Sequence, residues 1–191
     1  LCMARFALNP VFAILFAILG CVLLGVSIEK IAYKPLRNSP RISLLITAIG
    51  ISFLLENAAQ MIFGAGAQVI PPFFTVPNAS IGQVEIPGTA IVTVAVTALS
   101  MVALTLLIQK TKMGKAMRAV SEDTGAAQLM GININRTISF TFAIGSALAG
   151  IGSVLYCTAY PQATATMGSM LGLKAFVAAV LGGIGSIPGA M

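Results

Sequence analysis

Residues 89–133 read TAIVTVAVTALSMVALTLLIQKTKMGKAMRAVSEDTGAAQLMGIN. The first half, Thr89 to Gln109, is apolar and uncharged, and at ~1.5 Å per helical residue it is long enough to cross a hydrocarbon core of ~30 Å. The second half changes character at once. Lys110, Lys112, Lys115 and Arg118 follow the apolar run, then Glu122 and Asp123, then the small-residue series Gly125, Ala126, Ala127 and Gly131. A span that delivers the chain into a basic, water-side segment predicts an all-α, polytopic transmembrane helical bundle.

Composition points the same way. Hydrophobic residues make up 58% of the chain and charged residues 8%, with a mean hydropathy of +0.98, values that belong to a protein dissolved in lipid. The net charge of +6 comes from eleven Lys and Arg residues gathered mostly in short clusters between apolar runs, which is a topological pattern and does not predict a nucleic-acid partner. With no His and three scattered Cys (Cys2, Cys21, Cys157), neither a metal site nor a bound cofactor is expected. There is no G-x-x-x-x-G-K-[ST] sequence, so any ATP that drives this chain is expected to bind another subunit.

Working outward, the chain reads as a single membrane domain over residues 1–191, with four full spans and a broken or re-entrant fifth. Phe6 to Ile28, Ile42 to Phe63, Thr89 to Gln109 and Thr137 to Tyr160 are the spans. Residues 29–41 carry Lys30, Lys34, Arg37 and Arg41 with Pro35 and Pro40, and residues 110–136 carry the second basic cluster and Arg136. Both are assigned to the cytoplasm. Residues 64–88 hold Pro71, Pro72, Pro77 and Pro87 and no Lys or Arg, which assigns them to the outside. The last apolar piece, Met170 to Leu181, spans only ~18 Å as helix, and Gly182, Gly183 and Gly185 interrupt it. Such a break either lines a transport route or marks a close helix crossing. Because the first residue is Leu and apolar sequence still runs at Met191, just after the helix break, the chain is expected to be an internal fragment of a longer permease.

Within residues 110–136 a short helix is expected from Thr124 to Met130. Asp123 can cap its first amides, Glu122 lies beside the positive end of its dipole, and Gly131 suits its C-terminal cap. Ala126, Ala127 and Met130 are expected to share a contact face, and so short a helix needs a supporting surface. By spacing alone two supports stand: a partner protein, or anionic membrane lipid held by Lys110, Lys112, Lys115 and Arg118.

The run Ala126 to Gly131 resembles the cytoplasmic coupling motif of ABC importer membrane subunits, E-A-A-x-x-x-G, with Gly125 at the Glu position. The wider series, GKAMRAVSED from Gly114, Gly131-Ile132-Asn133, Tyr33 to Arg37 and KAFVAAVLGGIGSIPGA from Lys174, resembles the permease subunits of branched-chain amino acid ABC importers over essentially the whole chain. That resemblance implies a location in the bacterial inner membrane and a pathway formed with a homologous permease subunit. It also implies a periplasmic binding protein that delivers a branched-chain or related amino acid, and two cytoplasmic ATPase subunits gripping the helix at Glu122, Asp123, Ala126, Ala127 and Gly131. An ion-coupled secondary transporter and a non-transporting membrane assembly protein are the alternatives. An enzyme is not expected, since no nucleophile, base and orienting group come together without His.

Polar residues in the spans complete the list. Glu56, Asn57 and Gln60 fall on one face of the second span and either line the pathway, with Gly182, Gly183 and Gly185, or bond to water or a neighbouring helix. Thr89, Thr93, Thr97 and Thr105 form a hydroxyl stripe expected to bond back to its own helix. Gly145, Ala149 and Ser153, and likewise Ser146 and Gly150, are read as helix-contact ridges. Lys174 either snorkels to headgroups or meets a substrate carboxylate.

Overall fold

The structure, a computed structural model, describes residues 10–37, 39–69, 79–81 and 84–183. Helix α1 runs Pro10–Ile28 and widens into a π-helical turn, Glu29–Tyr33. Helix α2 is Arg41–Phe63, and short strands β1 (Gln68–Val69), β2 (Ala79–Ile81) and β3 (Val84–Ile86) follow. Helix α3 is Gly88–Lys110, α4 Lys112–Glu122, α5 Thr124–Leu129 and α6 Ile134–Ala159. Strand β4 (Gln162–Ala163) and helix α7 (Met167–Leu181) complete the described order.

Four of these helices are long and apolar enough to cross a membrane, and the chain is a multi-pass helical membrane protein. Their apolar side chains cover the whole circumference, as helices dissolved in lipid do: Phe12, Phe16, Leu45, Ile49, Phe53, Val94 and Leu99 are all exposed. The expected span boundaries shift by a few residues at most where the residues are described. At the start, residues 6–9 of the first expected span lie outside the described residues.

The tightest packing joins α1 to α6, and small residues allow it. A β-carbon added at Gly25 would stand 1.7 Å from Ser146 Oγ and 2.7 Å from Ser146 Cβ, so only a hydrogen there lets the two helices approach. One turn further along α6, Gly150 is buried against the backbone of Ile18 and the side chain of Cys21. The ridge that packs is therefore Ser146 and Gly150, while Gly145 and Ala149 on the alternative ridge are exposed. Tyr33 and Phe142 extend the contact, with ring centroids 5.1 Å apart, a separation at which tilted aromatic rings attract.

Two connections tie the ends of the bundle. At one end β1 pairs antiparallel with β4, Gln68 opposite Ala163 and Val69 opposite Gln162, so the segments after α2 and after α6 lie together. At the other end Arg37 donates to Asn135, which brings the two basic segments together. A separate hairpin pairs β2 with β3.

Candidate functional site

The segment between α3 and α6 is built from three helix starts, each capped by its own side chain. Thr111 Oγ1 accepts from Gly114 N at 3.0 Å and opens α4. Asp123 Oδ1 accepts from Gly125 N at 2.8 Å and Ala126 N at 3.1 Å and opens α5. Asn133 Oδ1 accepts from Arg136 N at 3.2 Å and opens α6. Each cap satisfies amides that a helix start otherwise leaves without partners.

Helix α5 ends as sharply as it begins. Gly131 has φ +79°, a left-handed conformation that glycine adopts without steric cost. Its amide donates to Gln128 O at 3.0 Å and the Ile132 amide donates to Ala127 O at 3.0 Å, the paired bonds of a Schellman turn. Asp123 and Gly131 thus hold a six-residue helix that its length alone would not sustain. Helix α4 did not figure in the sequence reading. Its apolar positions look inward while Lys112, Lys115 and Arg118 remain exposed, an amphipathic pattern that a basic loop imitates in sequence.

The expected contact face of α5 is divided by the structure. Ala127 is 4% exposed and packs into its own chain, whereas Met130 is 82% exposed and Leu129 90% exposed. Ala126 is also exposed, so the outward face is Ala126, Leu129 and Met130 at i, i+3 and i+4. The physical reason is α5's seat against the rest of the segment: one Ala must face inward, and its neighbour one residue on is carried round by ~100° per residue. Glu122 and Asp123 are exposed at the start of the helix. Beside α5 lies a cleft of about 730 Å³ lined by residues that include Arg37, Thr124, Gly125, Gln128, Asn133 and Asn135.

The sequence reading missed the most buried polar side chain among the described residues. Glu29 is fully buried; its carboxylate pairs with Arg37 and accepts from Ser139 Oγ at 2.6 Å. Residues 29–41 were expected to be a solvated loop, but the helix continues five residues past Ile28 as a π turn, which brings Glu29 against α6. The available signal was a lone acid heading a cluster of Lys and Arg.

At the opposite end Ser169 of α7 donates to Glu56, so Glu56 bonds a neighbouring helix. Asn57 Nδ2 donates to Phe53 O of its own helix at 2.7 Å, and Gln60 is half-buried. Thr93 and Thr105 bond back to Thr89 O and Met101 O, each at 2.8 Å, as the hydroxyl stripe was expected to do. Helix α7 starts three residues earlier than expected, and its 15 residues reach ~22 Å, still short of a crossing. It stops at Gly182, and Gly183 follows with φ +86°. Gly185 lies outside the described residues, and Lys174 is exposed. Among the described residues no three His, Cys, Asp or Glu side chains group to hold a metal ion.

Helix α5 is thus capped at both ends and turns an apolar face out beside a basic cluster. Comparison with known proteins identifies the setting, because the family described as the permease component of branched-chain amino acid transport systems matches residues 1–191. The chain belongs to this permease family. Among similar permeases, the high-affinity branched-chain amino acid transport system permease protein LivH of Escherichia coli (strain K12) is 45% identical over 172 residues. The alignment covers 87% of this chain and 56% of that protein. BraD of Pseudomonas aeruginosa, described in the same words, is 44% identical over 171 residues with the same coverage. The probable branched-chain amino acid transport permease LivH of Methanocaldococcus jannaschii is 29% identical over 191 residues, covering 95% of this chain and 57% of that one. This permease chain therefore spans about half the length of the curated relatives it matches. No solved structure matches it significantly.

Proposed function

We propose that this permease chain forms part of the translocation pathway of an ATP-driven importer for branched-chain or related amino acids, in the bacterial inner membrane. Substrate arrives from a periplasmic binding protein, a homologous permease completes the pathway, and two ATPase subunits on the cytoplasmic side supply the work. ATP is hydrolysed on those separate subunits. The basic clusters of residues 29–41 and 110–136 meet at one end of the bundle through Arg37 and Asn135, which supports placing both in the cytoplasm. The β1–β4 end is then external.

The observation that carries the proposal is the outward pair Leu129 and Met130 on α5. Two large apolar side chains side by side in a charged segment call for a protein partner, and a groove in an ATPase subunit is the occupant the family setting supplies. Ala126 lets that surface approach closely, Asp123 and Glu122 set the helix start, and Ala127 and Gly131 seat the helix in its own chain. Leu129→Asp in the full-length permease is therefore expected to weaken co-purification with the ATPases by at least ~30-fold, the loss of an interface anchor worth ~2 kcal/mol or more. Retained assembly and ATP-dependent uptake in that variant would sink the docking face. Ala127→Asp is a poorer probe, because a charge at that buried position disrupts the loop itself.

At the external end we propose that Glu56 and Ser169 hold α7 against α2 near the substrate entrance, with Asn57, Gln60 and the Gly182, Gly183 and Gly185 break nearer the route.

A further inference from the structure

Glu29 has no solvent exposure, yet it sits one residue beyond the last α-helical turn of α1. Burying a carboxylate is costly, and an apolar side chain would close the same joint without that cost. What the charge adds is connectivity. The carboxylate accepts from Arg37 and from Ser139 on α6, and the same guanidinium donates to Asn135 in the first turn of α6. Four side chains from the π turn, the turn after it and the start of α6 are thereby locked into one unit.

That unit stands directly behind α5. Ile132 closes the Schellman turn of α5, Asn133 caps α6, and Asn135 meets Arg37. From the end of the short helix to the buried carboxylate the path crosses only capped or hydrogen-bonded residues. Arg37 also lines the cleft beside Thr124, Gly125 and Gln128, and its Nε is buried without a hydrogen-bond partner. A buried donor left unsatisfied on a residue that lines a cleft gives this side chain a reason to adopt a second arrangement.

We propose that Glu29 and Arg37 are positioning residues that transmit displacement of α5 to α1, with Arg37 as the member that changes partners. The proposal rests on the importer reading above. Coupling of this kind requires an element with two arrangements that both sites bias. Arg37 joins the two sides: one nitrogen of its fork donates to the Glu29 carboxylate and the other to Asn135, and the residue also lines the cleft beside α5. Neither residue touches substrate; their effect is on how much transport each ATP achieves.

The test uses the full-length importer, reconstituted in proteoliposomes with its ATPases and binding protein, and measures amino acid taken up per ATP hydrolysed. Glu29→Gln is expected to keep ATP hydrolysis within about twofold of wild type while uptake per ATP falls about 3- to 10-fold, inside the ~2- to 30-fold range for residues along a coupling network. Ser139→Ala, which removes one hydrogen bond and leaves the ion pair, is expected to lower the ratio about twofold. If Glu29→Gln fails to assemble, Ser139→Ala and Arg37→Lys carry the measurement, since Lys keeps the charge and loses the fork. An unchanged ratio in the assembled variants overturns the proposal, and so does a fall in assembly and hydrolysis with the ratio constant. A wild-type complex that binds no ATPase overturns the importer reading instead.

Discussion

The first two spans, Phe12–Tyr33 on α1 with its π turn and Ile42–Phe63 on α2, are 22 residues each with hydropathies of 2.4 and 1.8, yet they are held in opposite ways. The first is pressed along α6 through Gly25, Ser146 and Gly150 and anchored at its end by a buried carboxylate. The second has no buried residue in its most apolar window, and among the described residues it meets the π turn and, through Glu56, helix α7. Hydropathy puts both helices in lipid, where apolar surface gains nothing by leaving one hydrocarbon contact for another. Partner choice then falls to small residues and to the few polar groups that must find each other.

The most forceful way to break this contrast is Gly25→Leu. A side chain there meets Ser146 within its first carbon, so α1 and α6 must separate, at a cost of about 1–3 kcal/mol or more. Thermal unfolding in detergent or nanodiscs is expected to show a clearly lowered midpoint; an unchanged one would mean the close approach is not a real constraint. A smaller effect is expected from Glu56→Gln. Its contact with Ser169 is a polar tie between α2 and α7, and the amide still accepts a hydrogen bond, so uptake is expected to fall by less than about threefold. A fall of a hundredfold would instead place the charge itself in the translocation route. The smallest change belongs to Ile49→Ala. Ile49 is 58% exposed on α2, and its truncation is expected to shift the stability of this chain by under ~0.5 kcal/mol, sharpening the contrast with Gly25. A larger loss that appears only in the assembled importer would identify this face of α2 as a subunit contact.

The spans were legible because each is a long, predominantly apolar run, and no competing structure satisfies the backbone in lipid. The caps of α5 were legible for an equally local reason. An Asp and a Gly at the two ends of a six-residue helix are determined by neighbours within the same turn. Glu29 was not legible, because its burial depends on Ser139 and Arg37, one of them 110 residues away. Helix α4 was hidden in the basic cluster that marks the cytoplasmic side. The division of the α5 face between Ala127 and Leu129 follows from where α5 leans, which no periodicity within six residues reveals. Strands β1 and β4 are two residues each, too short for any pattern to announce them.

The β1–β4 pairing has a mechanical consequence. It fastens the far end of α2 to the far end of α6, while the near end of α2 follows directly from the Arg37 turn. Between those moorings α2 resembles a rod held at its tips, and a roll about its long axis has to break the bond from Ser169 of α7 to Glu56 while the tips stay fastened. Rolling, unlike tilting, exchanges which side chains face a neighbour while leaving both ends of the bundle shut.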